Sequence, residues 1–219
     1  MEQLSGVFIT FEGIEGCGKT TQIARLAESL RQQHLPVVVT REPGGCAISD
    51  KIRAILLDAD NSAITPETEL LLYAAARAQH ISEVIRPALQ QGKIVLCDRF
   101  CDATIAYQGC GRNLDITTIK ELNNYACQKI TPQLTLVLDI DVNTGLTRAR
   151  SRNAKSQLQN EDRFEAESLN FHQRIRDAYL DLSYKEPQRI AVIDASGNQD
   201  DVHNRIYAAV VHSISTANN

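Results

Sequence analysis

The sequence predicts a single three-layer α/β domain, a parallel five-stranded sheet covered by helices on both faces. Three observations carry that prediction. Five short, β-branched apolar runs alternate with segments of helical periodicity. The runs are apolar at nearly every position rather than at every second one, as strands buried on both faces require. The chain has 219 residues, enough for one domain that needs no staple of disulfides or metal.

Taken in order, Gly6–Phe11 (GVFITF) reads as the first strand. A glycine-rich loop follows, then a helix from Thr20 to His34 with Ile23, Leu26, Ala27 and Leu30 at helical spacing. Pro36 leads into a strand over Val37–Thr40, closed by the turn cluster Pro43-Gly44-Gly45. Helices are expected over Ile48–Leu57 and Glu67–Gln90, the second stopped by Gly92. The remaining strands, Lys93–Asp98, Leu134–Asp139 and Arg189–Asp194, each end in a carboxylate. Residues 151–165 are polar, basic and without period, which predicts a mobile loop, a lid segment of about 150–164 inside a single domain spanning 1–219. The polar end, Ser213–Asn219, predicts a frayed terminus.

Charge and cysteine usage exclude several function classes. Twenty-three basic residues against 27 acidic ones give a net charge of −4 and a pI near 5.7. That opposes a broad footprint for nucleic acid or an anionic membrane. No apolar run reaches the roughly 18 residues of a membrane span, and the first residues carry no basic signal region. Six cysteines show neither a CxxC pair nor zinc spacing. They predict reduced thiols in a cytoplasmic enzyme.

The chemistry begins at Gly13-Ile14-Glu15-Gly16-Cys17-Gly18-Lys19-Thr20, which matches G-x-x-x-x-G-K-[ST] at every fixed position. Glycines let backbone N–H groups wrap a β-phosphate, Lys19 bridges β and γ oxygens, and Thr20 offers a hydroxyl to Mg²⁺. The strand–loop–helix setting is the one this mechanism needs, so the segment is read as the ATP site. None of the four variable residues is basic. An arginine for the transferring phosphoryl group must therefore come from elsewhere, and the basic stretch holding Arg148, Arg150, Arg152, Lys155 and Arg163 is the expected donor. Arg150 and Arg152 are the preferred candidates.

No Asn-Lys-x-Asp guanine motif is present, which argues against a GTPase. A kinase of this length needs an anionic acceptor site, and three clusters supply its parts. Thr40-Arg41-Glu42-Pro43-Gly44-Gly45 and Arg53 put arginines at the carboxyl end of a strand. Tyr73 and Arg77, four apart on one helix face, offer an aromatic plane and a planar fork. Asp98-Arg99-Phe100 ends a strand shortly before Thr104, Tyr107 and Gln108. Asp98, at a strand end facing the loop, is expected to organise the metal and its waters, with Asp139, which also ends an apolar strand, as the rival.

The runs FEGIEGCGKT, TREPGG, YAAARAQH, DRF and AYQGCGR, with the later Asp162-Arg163-Phe164-Glu165, resemble the bacterial thymidylate kinases in order and spacing over nearly the whole chain. The resemblance implies a phosphate-loop kinase fold of the nucleoside-monophosphate kinase type. It also implies ATP-dependent phosphorylation of dTMP to dTDP on the route to dTTP, Mg²⁺, and a homodimer. It assigns Tyr73 to stacking on thymine, Arg77 and Gln108 to its polar edge with Thr104 close by, and Arg99 and Arg53 to the dTMP phosphate. Tyr107 would crowd the sugar 2′ position, and Glu15 and Glu42 would lie near the sugar and the phosphoryl path. Arginines in the lid and none in the loop are similar to the lid-arginine subtype. Cys17 and Phe100 depart from the residues usual at those positions. Another deoxynucleotide or deoxynucleoside kinase of the superfamily, or a non-catalytic nucleotide switch, is the alternative reading.

Overall fold

Five parallel strands, β1 (Val7–Glu12), β2 (Val37–Arg41), β3 (Ile94–Asp98), β4 (Leu134–Asp139) and β5 (Ile190–Asp194), form one sheet in the order β2-β3-β1-β4-β5. The structure, a computed structural model, describes residues 4–153, 163–164 and 167–217. Alternate residues of the central strands enter two separate cores. Ile9, Phe11 and Leu96 pack into one cluster, while Phe8, Val95 and Cys97 pack into the other. A strand with a core on each side cannot afford a polar face, which is why its sequence reads as an unbroken apolar run.

The helices are α1 (Lys19–Gln32), α2 (Ala47–Leu57), α3 (Pro66–His80), α4 (Arg86–Gln90), α5 (Cys101–Thr104), α6 (Ile116–Ala126), α7 (Val142–Asn153), α8 (Leu169–Lys185) and α9 (Gln199–Ala217). Several starts carry side-chain caps. Thr65 accepts from the Thr68 N–H with Pro66 at the first turn, Asp115 from the Thr118 N–H and Ser168 from the Phe171 N–H.

Three expectations are corrected. The helix expected over Glu67–Gln90 is interrupted by a π-helical turn, Ile81–Ile85, between α3 and α4. Pro87 lacks an N–H and its ring displaces the carbonyl four residues back, so the rod widens just before it. Where a loop is expected from residue 151, α7 carries Ser151–Asn153 as helix, and Arg163 and Phe164 form a turn. The rest of that segment lies outside the described residues. The end expected to fray from Ser213 is helical through Ala217.

The carboxyl ends of β1, β2 and β3 bring Glu12, Arg41 and Asp98 to one edge of the sheet. The chain leaves β1 for the edge strand β2, then turns back through β3 and crosses to β4 and β5 on the other side, and where the direction of the connections reverses open parallel sheets bind their ligands.

Candidate active site

A cleft of about 1500 Å³ opens at that edge, larger than the roughly 300–1,000 Å³ of a single small-ligand pocket. One end is the phosphate loop, whose Glu15, Gly16, Cys17, Gly18, Lys19 and Thr20 line it. Gly16 has φ +70°, and a Cβ there would stand 1.9 Å from the Gly145 carbonyl oxygen on α7. Only glycine lets loop and helix approach so closely. Gly13 and Ile14 back the loop rather than face the cleft: their carbonyls each accept from Lys19 Nζ at 3.0 Å. Lys19 also reaches Cys17 Sγ at 3.4 Å, so its ammonium lies across the loop.

Thr20, one residue into α1, donates its hydroxyl to Asp98 Oδ2 at 3.1 Å. The rival Asp139 is gripped by Arg176, with Nε and Nη2 at 2.6 and 2.9 Å, and does not line the cleft. Of the two strand-end carboxylates, Asp98 alone lines the cleft beside Thr20.

The other end of the cleft is built on a π-helical segment, Ile105–Gly111, continuing α5. Its wide turn keeps Thr104, Tyr107 and Gln108 on one side, and all three line the cleft with Tyr73 and Arg77 of α3. Arg77 is fully buried. It donates Nε to Glu42 Oε2 at 2.8 Å, Nη1 to Asn123 at 2.7 Å, and Nη2 to the Phe100 carbonyl and Thr104 at 3.1 and 2.9 Å. Those bonds commit four of its five donors, leaving one for a ligand. Glu42 lines the cleft but turns its carboxylate onto Arg77 and His80, so it braces Arg77 instead of facing the phosphoryl path. Burial raises the Tyr73 phenol above its usual range, with Glu69 adding to it.

Arg99 and Arg53 also line the cleft. Arg99 donates to the Gly13 carbonyl at 3.0 Å and to Glu15 Oε1 at 3.1 Å, and lies 4.7 Å over the Tyr107 ring. Arg53 is anchored to the Pro43 carbonyl at 3.0 Å. Tyr107 donates to the same Glu15 oxygen at 2.7 Å. Burial would raise the Glu15 carboxyl, but His172, Arg99, Lys19 and Tyr107 outweigh it and hold it below the ordinary carboxylate range. Glu12 goes the other way. Burial, with Asp102 adding, pushes it up to about 7, although Arg99, the Tyr179 hydroxyl and the Phe100 N–H favour its ionised form.

Of the lid arginines, Arg152 lines the cleft and Arg150 does not. Arg148 and Arg152 are four apart on α7 and share the cleft-facing side, while Arg150 falls on the far side; all three are exposed. Of the two preferred candidates only Arg152 lines the cleft, beside Arg148. Phe164 meets Tyr107 edge-to-face at 5.7 Å, and Arg163 pairs with Glu69.

Sequence reasoning missed Glu12, Glu69, Asn123, His172 and Tyr179. For Glu12 a signal existed: a carboxylate at the end of a strand otherwise buried is a polar group in need of a partner. The others are single residues on amphipathic helices, whose partners come from distant parts of the chain. Phe100, unusual at its position, packs edge-to-face on Phe8 at 4.9 Å in the second core. All six cysteines are free thiols.

A parallel sheet with a phosphate loop at its switch point and an arginine-lined second pocket a short way along the same cleft defines a phosphate-loop nucleotide kinase. The finer identity comes from comparison. The family model for thymidylate kinase matches residues 11–206. Curated thymidylate kinases from Pelobacter propionicus and Geobacter sulfurreducens are 59% and 62% identical, covering 95% and 87% of this chain and 95% and 90% of theirs. A crystal structure of thymidylate kinase from Ehrlichia chaffeensis is similar with a TM-score of 0.77 at 34% identity, over 94% of this chain and 99% of that one. The chain belongs to the thymidylate kinase family, and it is a phosphotransferase. Among the described residues no helix is long and apolar enough to cross a membrane.

Proposed function

We propose that the chain transfers the γ-phosphoryl group of ATP to the phosphate of dTMP, giving dTDP and ADP on the way to dTTP in the cytoplasm. The observation that carries this reading is the continuity of the cleft: the phosphate loop and the Tyr73–Arg77–Gln108 pocket open into one space, which Arg99 and Arg53 also line. In this reading ATP lies on Gly13–Thr20, with Lys19 released from the Gly13 and Ile14 carbonyls onto the phosphates. Thymine stacks on Tyr73, and Arg77 and Gln108 read its polar edge beside Thr104. Arg99 and Arg53 hold the acceptor phosphate, and Tyr107, fixed by Glu15, closes the sugar 2′ position.

The acceptor phosphate is itself anionic and nucleophilic, so the residues need to position and neutralise rather than to abstract a proton. Arg152, with Arg148, would face the developing charge. The Thr20 hydroxyl and Asp98 carboxylate, 3.1 Å apart, are two hard oxygen donors and fit Mg²⁺. When bound, Mg²⁺ neutralises phosphate charge. The homodimer belongs to the same proposal, supported by Ile48 and Ile55 on α2 and Leu71 on α3, large apolar side chains that the single chain leaves exposed.

The test is ADP release from MgATP with dTMP, with thymidine, and with no acceptor. The proposal expects turnover with dTMP and none above background in the other two. Turnover of thymidine would show a hydroxyl acceptor, and ADP release without any acceptor would show a nucleotide switch.

A further inference from the structure

We propose that Glu69 decides which pyrimidine the acceptor pocket takes, by fixing the direction of the Gln108 side-chain amide. The inference rests on the acceptor reading above and adds a positioning residue to it. Gln108 is buried and lines the cleft. Its Nε2 donates to Glu69 Oε1 at 2.8 Å. Glu69 is itself fully buried and does not line the cleft. Its carboxylate is clamped by two guanidiniums: Arg163 on Oε2 at 2.6 Å, and Arg112 on Oε1 and Oε2 at 3.3 and 3.4 Å.

A carboxylate held by two arginines accepts hydrogen bonds and donates none. The NH₂ end of Gln108 is therefore the end that faces Glu69, and the carbonyl oxygen is the end left for the cleft. Beside it Arg77 keeps one N–H after its bonds to Glu42, Asn123, Phe100 and Thr104. Gln108 thus presents its carbonyl acceptor beside the remaining Arg77 donor.

Thymine and uracil carry an N3–H donor and an O4 acceptor, which complement that pair. Cytosine carries an N3 lone pair and an N4 amino group, which oppose it at both positions. A reversed Gln108 amide would greet cytosine N3 with a donor. The direction of the amide is thus the discriminating element, and Glu69 sets it without touching the base.

The experiment compares kcat/KM for dTMP with that for 5-methyl-2′-deoxycytidine monophosphate, which differs only along the N3–C4 edge. A site built to hydrogen-bond a polar group rejects the mismatched analogue by about 10⁴–10⁵, and wild type is expected to favour dTMP by at least about 100-fold on that scale. Glu69→Gln presents an amide that can accept or donate, so Gln108 is released to turn, and the ratio is expected to fall about tenfold or more. If that variant does not fold, Glu69→Asp keeps the charge for both arginines while withdrawing it from Gln108, and carries the same expectation. Arg112→Met strips the same carboxylate of a partner but leaves Gln108 facing it. It should keep the ratio within about threefold, whatever it does to thermal stability.

Folded Glu69 variants that keep the wild-type ratio overturn the inference, as does an Arg112→Met ratio that falls equally far. Wild type that phosphorylates dTMP and also accepts the cytosine analogue within about tenfold overturns it too. Wild type with no dTMP turnover removes the acceptor reading itself, a different failure from loss of discrimination.

Discussion

The Thr20 hydroxyl at the start of α1 stands 3.1 Å from Asp98 Oδ2 at the end of β3, while Asp139, the equivalent residue on β4, is tied to Arg176. Strand-end position is therefore not what separates the two carboxylates; their partners are. Asp98 meets a hydroxyl that a divalent cation can share, and Asp139 is already neutralised.

Asp98→Asn is expected to lower kcat by about 10²–10³, the scale of losing one preorganised charge-stabilising group. Asp139→Asn should leave kcat within about threefold and lower stability through the stranded Arg176. Steady-state rates and urea midpoints on both variants check this. Equal kcat losses would return Asp139 to the site.

Arg152→Ala should cut kcat by about 10³ or more, the lower range for an arginine acting on transferring phosphoryl charge. Arg150→Ala, on the far side of α7, should stay within about threefold. Turnover at saturating ATP and acceptor separates them. Equal effects would mean that the face of α7 towards the cleft does not select the acting arginine.

Stability should depend on pH through two neighbouring carboxylates of opposite sign. Glu12, pushed up to about 7 by burial from an unfolded value of 4.5, holds a proton between those values that the unfolded chain has released. Its contribution is complete below pH 4.5 and lost as pH rises to 7, a swing of up to about 3 kcal/mol at 1.36 kcal/mol per unit. Glu15, held below its unfolded value of 4.5, contributes above that pH and loses the contribution as pH falls through its folded value. Urea midpoints should fall between pH 5 and 7.5 in wild type and flatten in Glu12→Gln. Glu15→Gln should instead soften the acid limb. A Glu12→Gln profile parallel to wild type would contradict the assignment.

Uracil lacks one methyl of thymine, and a methyl in an apolar pocket is worth about 1–3 kcal/mol. The kcat/KM for dUMP should accordingly lie about 10–200-fold below that for dTMP. Equal values would mean that nothing in the Tyr73 pocket reads the methyl.

The strands, the phosphate loop and the Tyr73–Arg77 pair were legible because their signals are local. Leu134–Asp139 has its boundaries in the sequence because an apolar run ends in a carboxylate. Lys19 and Thr20 sit in a contiguous motif. The π-helical segment at Ile105–Gly111 and the reach of α7 to Asn153 were not legible. Neither interrupts a polar, glycine-containing run in a way that composition reports. The bracing residues were hidden for a different reason. Glu69 meets Gln108, Arg112 and Arg163 across 39, 43 and 94 residues of chain. Nothing in the sequence near Glu69 distinguishes it from a solvated helix carboxylate. The chemistry was visible where it is contiguous, and its support was not, because buried support is made by tertiary contact.

The most direct test of the central claim is the acceptor profile of the wild-type chain, kcat/KM with MgATP for dTMP, dUMP, dCMP, dAMP and the ribonucleotide TMP. Turnover is expected to be highest with dTMP, weaker with dUMP and far lower with the other three, with TMP held back by Tyr107 against the sugar. A purine nucleotide or dCMP matching dTMP would contradict the Tyr73–Arg77–Gln108 pocket as the base site, while leaving the phosphate loop in place.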